Sequence, residues 1–184
     1  EIEAFFQMIK TPVAVVHVIS VVCGMGAALT ADVLFSFFSK DKKLNKTEMG
    51  TLSILAKIVF YSLWIIVISG LALFLSDIPR YVYSIKFLGK MSILAILIVN
   101  GYALNAYVWP HLLNKKFFVE RKERPIRKIA FVSGAISVVS WISVCILGVL
   151  DSVPVSYGAL MGIYGLILSF SIIVALVVEK KEFN

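Results

Sequence analysis

His17 and Asp32 stand towards opposite ends of one apolar run, HVISVVCGMGAALTADVLF, and they are the first residues in the chain whose types could do chemistry. An imidazole at membrane depth can ligate heme iron or copper, relay a proton, or hydrogen-bond a neighbouring helix. A carboxylate in the same setting needs a cation, a proton or a set of donors. Two lysines are similarly placed, Lys57 in LSILAKIVFYSLW and Lys90 in LGKMSILAILIVN, and two amides follow, Asn100 and Asn105. Met25, Met91, Met161, Cys23 and Cys145 are the soft donors. The cysteines form no CxxC or CxxCH, which argues against c-type heme attachment and a cysteine zinc site; both read as buried, reduced thiols. Nothing resembles a hydrolase triad, a phosphate-cradling glycine loop or a paired-carboxylate site, so whether the chain is an enzyme stays open.

The elements that position these residues follow from composition. The 184 residues are 60% hydrophobic and 16% charged, against about 25% charged in a soluble domain, and the mean hydropathy is +0.94. Such a chain needs an apolar solvent. Five segments reach the roughly 20 residues that cross a bilayer: about 11–38, 49–75, 84–108, 129–150 and 157–178. The sequence therefore predicts an all-α, polytopic membrane bundle forming a single domain over residues 1–184. Thr11-Pro12 reads as N-cap and N1 proline, Asn45 with Glu48 as a capping box, and Pro125 and Pro154 stand ahead of the last two spans. The opening EIEAFFQMIK lacks the basic region and cleavage site of a secretory signal; the chain begins on Glu1 rather than methionine, which leaves room for residues upstream.

The net charge of +7 gathers in loops. Lys40, Lys42, Lys43 and Lys46 lie in the first; Lys115, Lys116, Arg121, Lys122, Arg124, Arg127 and Lys128 lie in the third, and Lys180 and Lys181 in the tail. The positive-inside rule then puts the N-terminus outside and the C-terminus in the cytoplasm. This distribution, with no recognition motif, excludes nucleic acid as a partner. The bilayer is the partner expected, together with other membrane subunits or further copies of the chain, in a bacterial or archaeal cytoplasmic membrane.

Helices in lipid pack through small and polar residues, and the 3.6-residue period predicts one inward stripe for each span. These are His17, Gly24 and Ala28 with Asp32 at the edge; Ser53, Lys57, Tyr61 and Trp64; Lys86, Lys90, Gly101 and Asn105 with Asn100 beside them; Ser133, Ser137, Ser140 and Gly148; and Gly158, Gly162, Gly165 and Ser169. Asp32 lies roughly 9 Å and Lys57 roughly 12 Å from the cytoplasmic ends of their spans. An ion pair between them, supported by Asn100 and Asn105, is the expected solution, serving either as a structural staple or as part of an ion path. His17 and Lys90 share the outer layer, where a lysine beside the imidazole suits an anionic ligand such as a heme propionate. His111 falls at the cytoplasmic end, a bilayer thickness away, so the two histidines cannot share one metal.

Two passages resemble a known family. One is His17 followed by Gly24 and Gly26; the other is GKMSILAILIVNGYALNAYVWPHL, with Lys90, Asn105, Pro110 and Leu112. Over residues 11–113 this arrangement resembles the copper-resistance D membrane proteins and, more distantly, the membrane-bound bacterial protoporphyrinogen oxidase. The resemblance implies that His17 is an axial ligand or porphyrin-site residue and Lys90 its partner, with heme b as cofactor; copper is the alternative. Asp32 and Phe35 stand where the oxidase has an arginine and a second histidine, so porphyrinogen oxidation is not implied. Three functions are thus expected: heme or porphyrin binding at His17 and Lys90 for electron transfer or heme handling; ion or copper transport using Asp32 and Lys57; or a non-catalytic accessory role in a larger membrane complex.

Overall fold

A computed structural model describes residues 2–112 and 117–183, and no strand occurs among them. Lys115 and Lys116 lie outside the described residues. A short helix, α1 (Ile2–Met8), leads into α2 (Lys10–Phe38). Thr11 does not cap α2: Ile9 N–H bonds Phe5 O and Val13 N–H bonds Ile9 O, so the helical ladder runs on across the junction. Pro12 interrupts that ladder at a single position, since it has no N–H to donate to the carbonyl of Met8.

Asn45 begins α3 (Lys46–Leu75) with the expected reciprocal cap; its Oδ1 accepts from Glu48 N–H and its own N–H donates to Glu48 Oε2, each at 2.8 Å. After α4 (Ile78–Val82) comes α5 (Ile85–Ala103). A π-helical turn over Leu104–Val108 joins α5 to α6 (Trp109–Leu112), carrying the third span beyond its predicted end. Pro110 has no N–H to donate to the carbonyl of Ala106, and the wider turn before it accommodates that break. The fourth span, α7 (Arg124–Val149), starts earlier than expected, with Pro125 inside its first turn. The last is α8 (Tyr157–Phe183).

Among the described residues, five helical stretches are long and apolar enough to cross a membrane, which marks an integral membrane protein. Neighbours run antiparallel. One end of the bundle carries the α2–α3 connection, the α6–α7 connection and the C-terminus; it is called the basic end below.

Small residues set the closest approaches. Gly24 packs where a Cβ would stand 2.8 Å from the Trp141 ring and 2.9 Å from Ser62 Cβ, so α2, α3 and α7 meet there. Around that point Ala28, Ile66, Leu97 and Trp141 form the central core. Towards the far end Ile93, Val139, Leu147 and Tyr164 join α5, α7 and α8, and Ser140 Oγ and Tyr164 Oη share a hydrogen bond of 2.8 Å. At the basic end Val108, Leu112, Phe117, Phe118 and Ala130 close the bundle.

The expected inward stripes are corrected on four helices; on α7, Ser133 and Ser140 are buried but Gly148 is exposed. On α3, Lys57, Tyr61 and Trp64 are exposed, and Leu52, Ser62, Ile66 and Ser69 face inward instead. On the third span, Asn100 of α5 is buried whereas Gly101 and, in the π-helical turn, Asn105 face outward. On α8, Gly158, Gly162 and Gly165 meet nothing within 4 Å; Tyr164 and Glu179 are the buried residues. Cys23 is exposed and Cys145 half-buried, both free, so the first is not the buried thiol expected.

Candidate functional site

Asp32 and Lys57 do not pair. Asp32 leaves α2 on the side facing α7 and α8: its Oδ1 lies 3.3 Å from where a Cβ on Gly134 would stand, and Ser137 faces the carboxyl. Lys57 is exposed on α3. It precedes the inward Ser62 by five residues, which at about 100° per residue turns it some 140° away from the α2 contact. Asn105, in the π-helical turn, is exposed as well, so neither Lys57 nor Asn105 joins the predicted network. Asn100 is used elsewhere, donating from Nδ2 to Ser133 O of α7 at 3.0 Å.

What Asp32 does border is a groove of about 370 Å³ between α2, α7 and α8. Phe35, Phe131, Gly134, Phe170 and Ser171 line it with Asp32, and no basic side chain does. The carboxylate Oδ2 is shielded and has no hydrogen-bond partner. Gly134 keeps α7 smooth opposite the carboxyl. An acid held this way can bind a proton or a cation, because among the described residues lining the groove none carries a neutralising charge.

His17 is half-buried between α2 and α3. Its Nδ1 shares a 2.9 Å hydrogen bond with Ser69 Oγ, and Gly70 gives the ring room, since a Cβ there would stand 3.4 Å from Cε1. Lys90 lies within electrostatic range of the ring. His111 is at the basic end, with Nδ1 2.7 Å from Glu123 Oε2. His17 would be the one residue here to hold a heme iron, through a ring nitrogen, with Lys90 as a nearby cation. Among the described residues no three His, Cys, Asp or Glu converge as a metal-holding group. The methionines are dispersed too: Met25 packs on the central core, Met161 on the far cluster, and Met91 is exposed.

Sequence reasoning missed one polar constellation. Arg127 Nε donates to Glu179 Oε1 at 2.9 Å, with the two residues only 2% and 1% exposed. Arg127 Nη1 also donates to the carbonyls of Phe117 and Phe118, at 3.2 and 3.4 Å, and the guanidinium lies 4.8 Å from the Phe183 ring centroid. This pair fastens the start of α7 to the end of α8 and pins the segment before α7. Its contacts are structural in character, and Glu179 Oε2 has no hydrogen-bond partner among the described residues. Lys86, predicted to face the bundle beside Lys90, donates instead to Leu150 O at the end of α7.

Compared with known proteins, the chain matches no family model, no curated protein and no solved structure.

Proposed function

We propose that this chain is a membrane-embedded ion-translocating module in which Asp32 binds the transported proton or cation. One observation carries the reading: Asp32 borders a groove between α2, α7 and α8, its Oδ2 is unpartnered, and Lys57 points away. An unneutralised charge at membrane depth costs on the order of 2.5–3.5 kcal/mol on the mildest scale, and a bound proton or cation removes that cost. Reversible loading is what a transport site requires. Basic loops facing the cytoplasm of a bacterial or archaeal cell would put Asp32 in the inner half of the membrane. The test is flux into proteoliposomes under an imposed pH gradient and membrane potential. Asp32→Asn should fall to the protein-free rate while Lys57→Gln keeps the wild-type rate. Undiminished flux in Asp32→Asn overturns the reading.

A second reading has its own observation. Ser69 engages His17 Nδ1, which points to Nε2 as the ring nitrogen for a metal, and Lys90 acts electrostatically on the ring, as a cation near an anionic ligand would. On this reading the chain binds heme b through a single histidine, with copper as the alternative metal, and hands electrons or heme to a partner subunit or a second copy. An absorption spectrum of the detergent-purified protein, oxidised and then reduced, tests it. A Soret band that shifts on reduction and is lost in His17→Ala supports heme; a colourless protein from heme-replete cells removes it.

A further inference from the structure

A second groove, of about 540 Å³, opens between α5 and α7. Its walls run from Ala95 to Ala103 on α5 and from Lys128 to Ile136 on α7, and Ile96, Val99, Ile129 and Val132 make them apolar. Polar groups on its floor are already engaged, because Asn100 donates to Ser133 O at 3.0 Å. The rise from Lys128 to Ile136 along α7 is about 12 Å, close to the roughly 15 Å of one leaflet's hydrocarbon. A transmembrane helix would need a seam through both leaflets. An acyl chain needs only this much.

One end of the groove is charged. Lys128 lines it there and is exposed. Arg124 and Arg121 precede Lys128 by four and seven residues, along the same face of the helix and the turn before it. Arg124 Nε is shielded from solvent and has no acceptor among the described residues. The nearby acids have other company: Glu120 lies 2.9 Å from Lys122 Nζ, and Glu123 holds His111. The basic end therefore offers a cationic ledge directly above an apolar slot one leaflet deep.

We infer that the α5–α7 groove is a binding site for one anionic phospholipid, with an acyl chain along Val99 and Val132 and the phosphate at Lys128. A headgroup of net negative charge is favoured, because a zwitterionic one brings its own ammonium to the ledge. The inference is independent of what Asp32 carries.

The test is native mass spectrometry of the full detergent-solubilised chain, titrated with phosphatidylglycerol and phosphatidylcholine of identical acyl chains. Wild type should retain one phosphatidylglycerol with a preference of about fivefold, the scale of one basic residue near a membrane surface. Lys128→Gln should erase the preference and Lys128→Arg keep it. Val132→Trp should lower retention of both lipids by filling the slot, and Ala103→Phe does the same from the α5 wall should the tryptophan disturb folding. Lys57→Gln, on the far face, should change nothing. Equal retention of the two lipids by wild type overturns the inference, as does a preference that survives Lys128→Gln.

Discussion

Arg127 and Glu179 join the start of α7 to the end of α8 through a 2.9 Å hydrogen bond between charged groups that are almost fully enclosed. Removing one member of such a pair leaves the other charged and unpartnered, at a cost of about 3–5 kcal/mol. Arg127→Leu and Glu179→Leu should each destabilise the detergent-solubilised bundle by that amount in a denaturant titration. The double variant should lose less than the sum, since no orphaned charge remains. Additive losses would mean that the two side chains act separately.

Asp32 and Lys57 give the opposite expectation. The groups face different neighbours, so a double-mutant cycle of Asp32→Asn with Lys57→Gln should show a coupling energy below about 0.5 kcal/mol. Swapping the charges should rescue neither single variant. Coupling of about 1 kcal/mol or more would restore the pair that the spacing alone suggests.

Gly24 is wedged between Trp141 and Ser62, and the contact distances leave no space for a methyl group. Gly24→Ala should cost about 1–3 kcal/mol, the usual range for overpacking a filled interior. Gly26 and Gly162 meet nothing within 4 Å, so alanine at either should be tolerated. Thermal inactivation followed by size-exclusion chromatography would rank the three.

Gly134 stands opposite the Asp32 carboxyl. A methyl group 3.3 Å from Oδ1 demands only a small shift of the side chain. Gly134→Ala should therefore leave the fold intact while reducing flux, and Gly134→Leu should abolish flux by displacing the carboxyl. A stable Gly134→Leu variant with wild-type flux would separate the groove from transport.

The five spans, the Asn45 cap and the inward face of α2 at Gly24 and Ala28 were legible because they follow from hydropathy, local capping chemistry and one sharply defined small-residue face. The stripes of α3 and α8 were not. In lipid, both faces of a helix are apolar, so periodicity offers several polar or small stripes and does not rank them. Ser62 and Ser69 turn inward on α3 because small residues allow close approach, and the bulkier Tyr61 and Trp64 are left on the outer face. The Arg127–Glu179 pair escaped notice because its members are 52 residues apart and each sits among ordinary loop or tail charges. One available signal was Glu179 itself, a lone acid closing the apolar run VALVVE just ahead of Lys180 and Lys181. For the candidate site, residue type identified Asp32 and His17, but their partners depended on helix rotation, and Ser69 and Gly134 emerged only with the tertiary packing.

Asp32 borders the groove between α2, α7 and α8 with its Oδ2 unpartnered among the described residues, and Lys57 is exposed on α3. The most direct measurement is labelling of the membrane-embedded protein with a hydrophobic carbodiimide, the modified residue being mapped by peptide mass spectrometry. Modification at Asp32, unchanged in Lys57→Gln and accompanied by loss of flux, is the predicted result. An unlabelled Asp32 in folded protein, or labelling that rises when Lys57 is removed, would contradict the account.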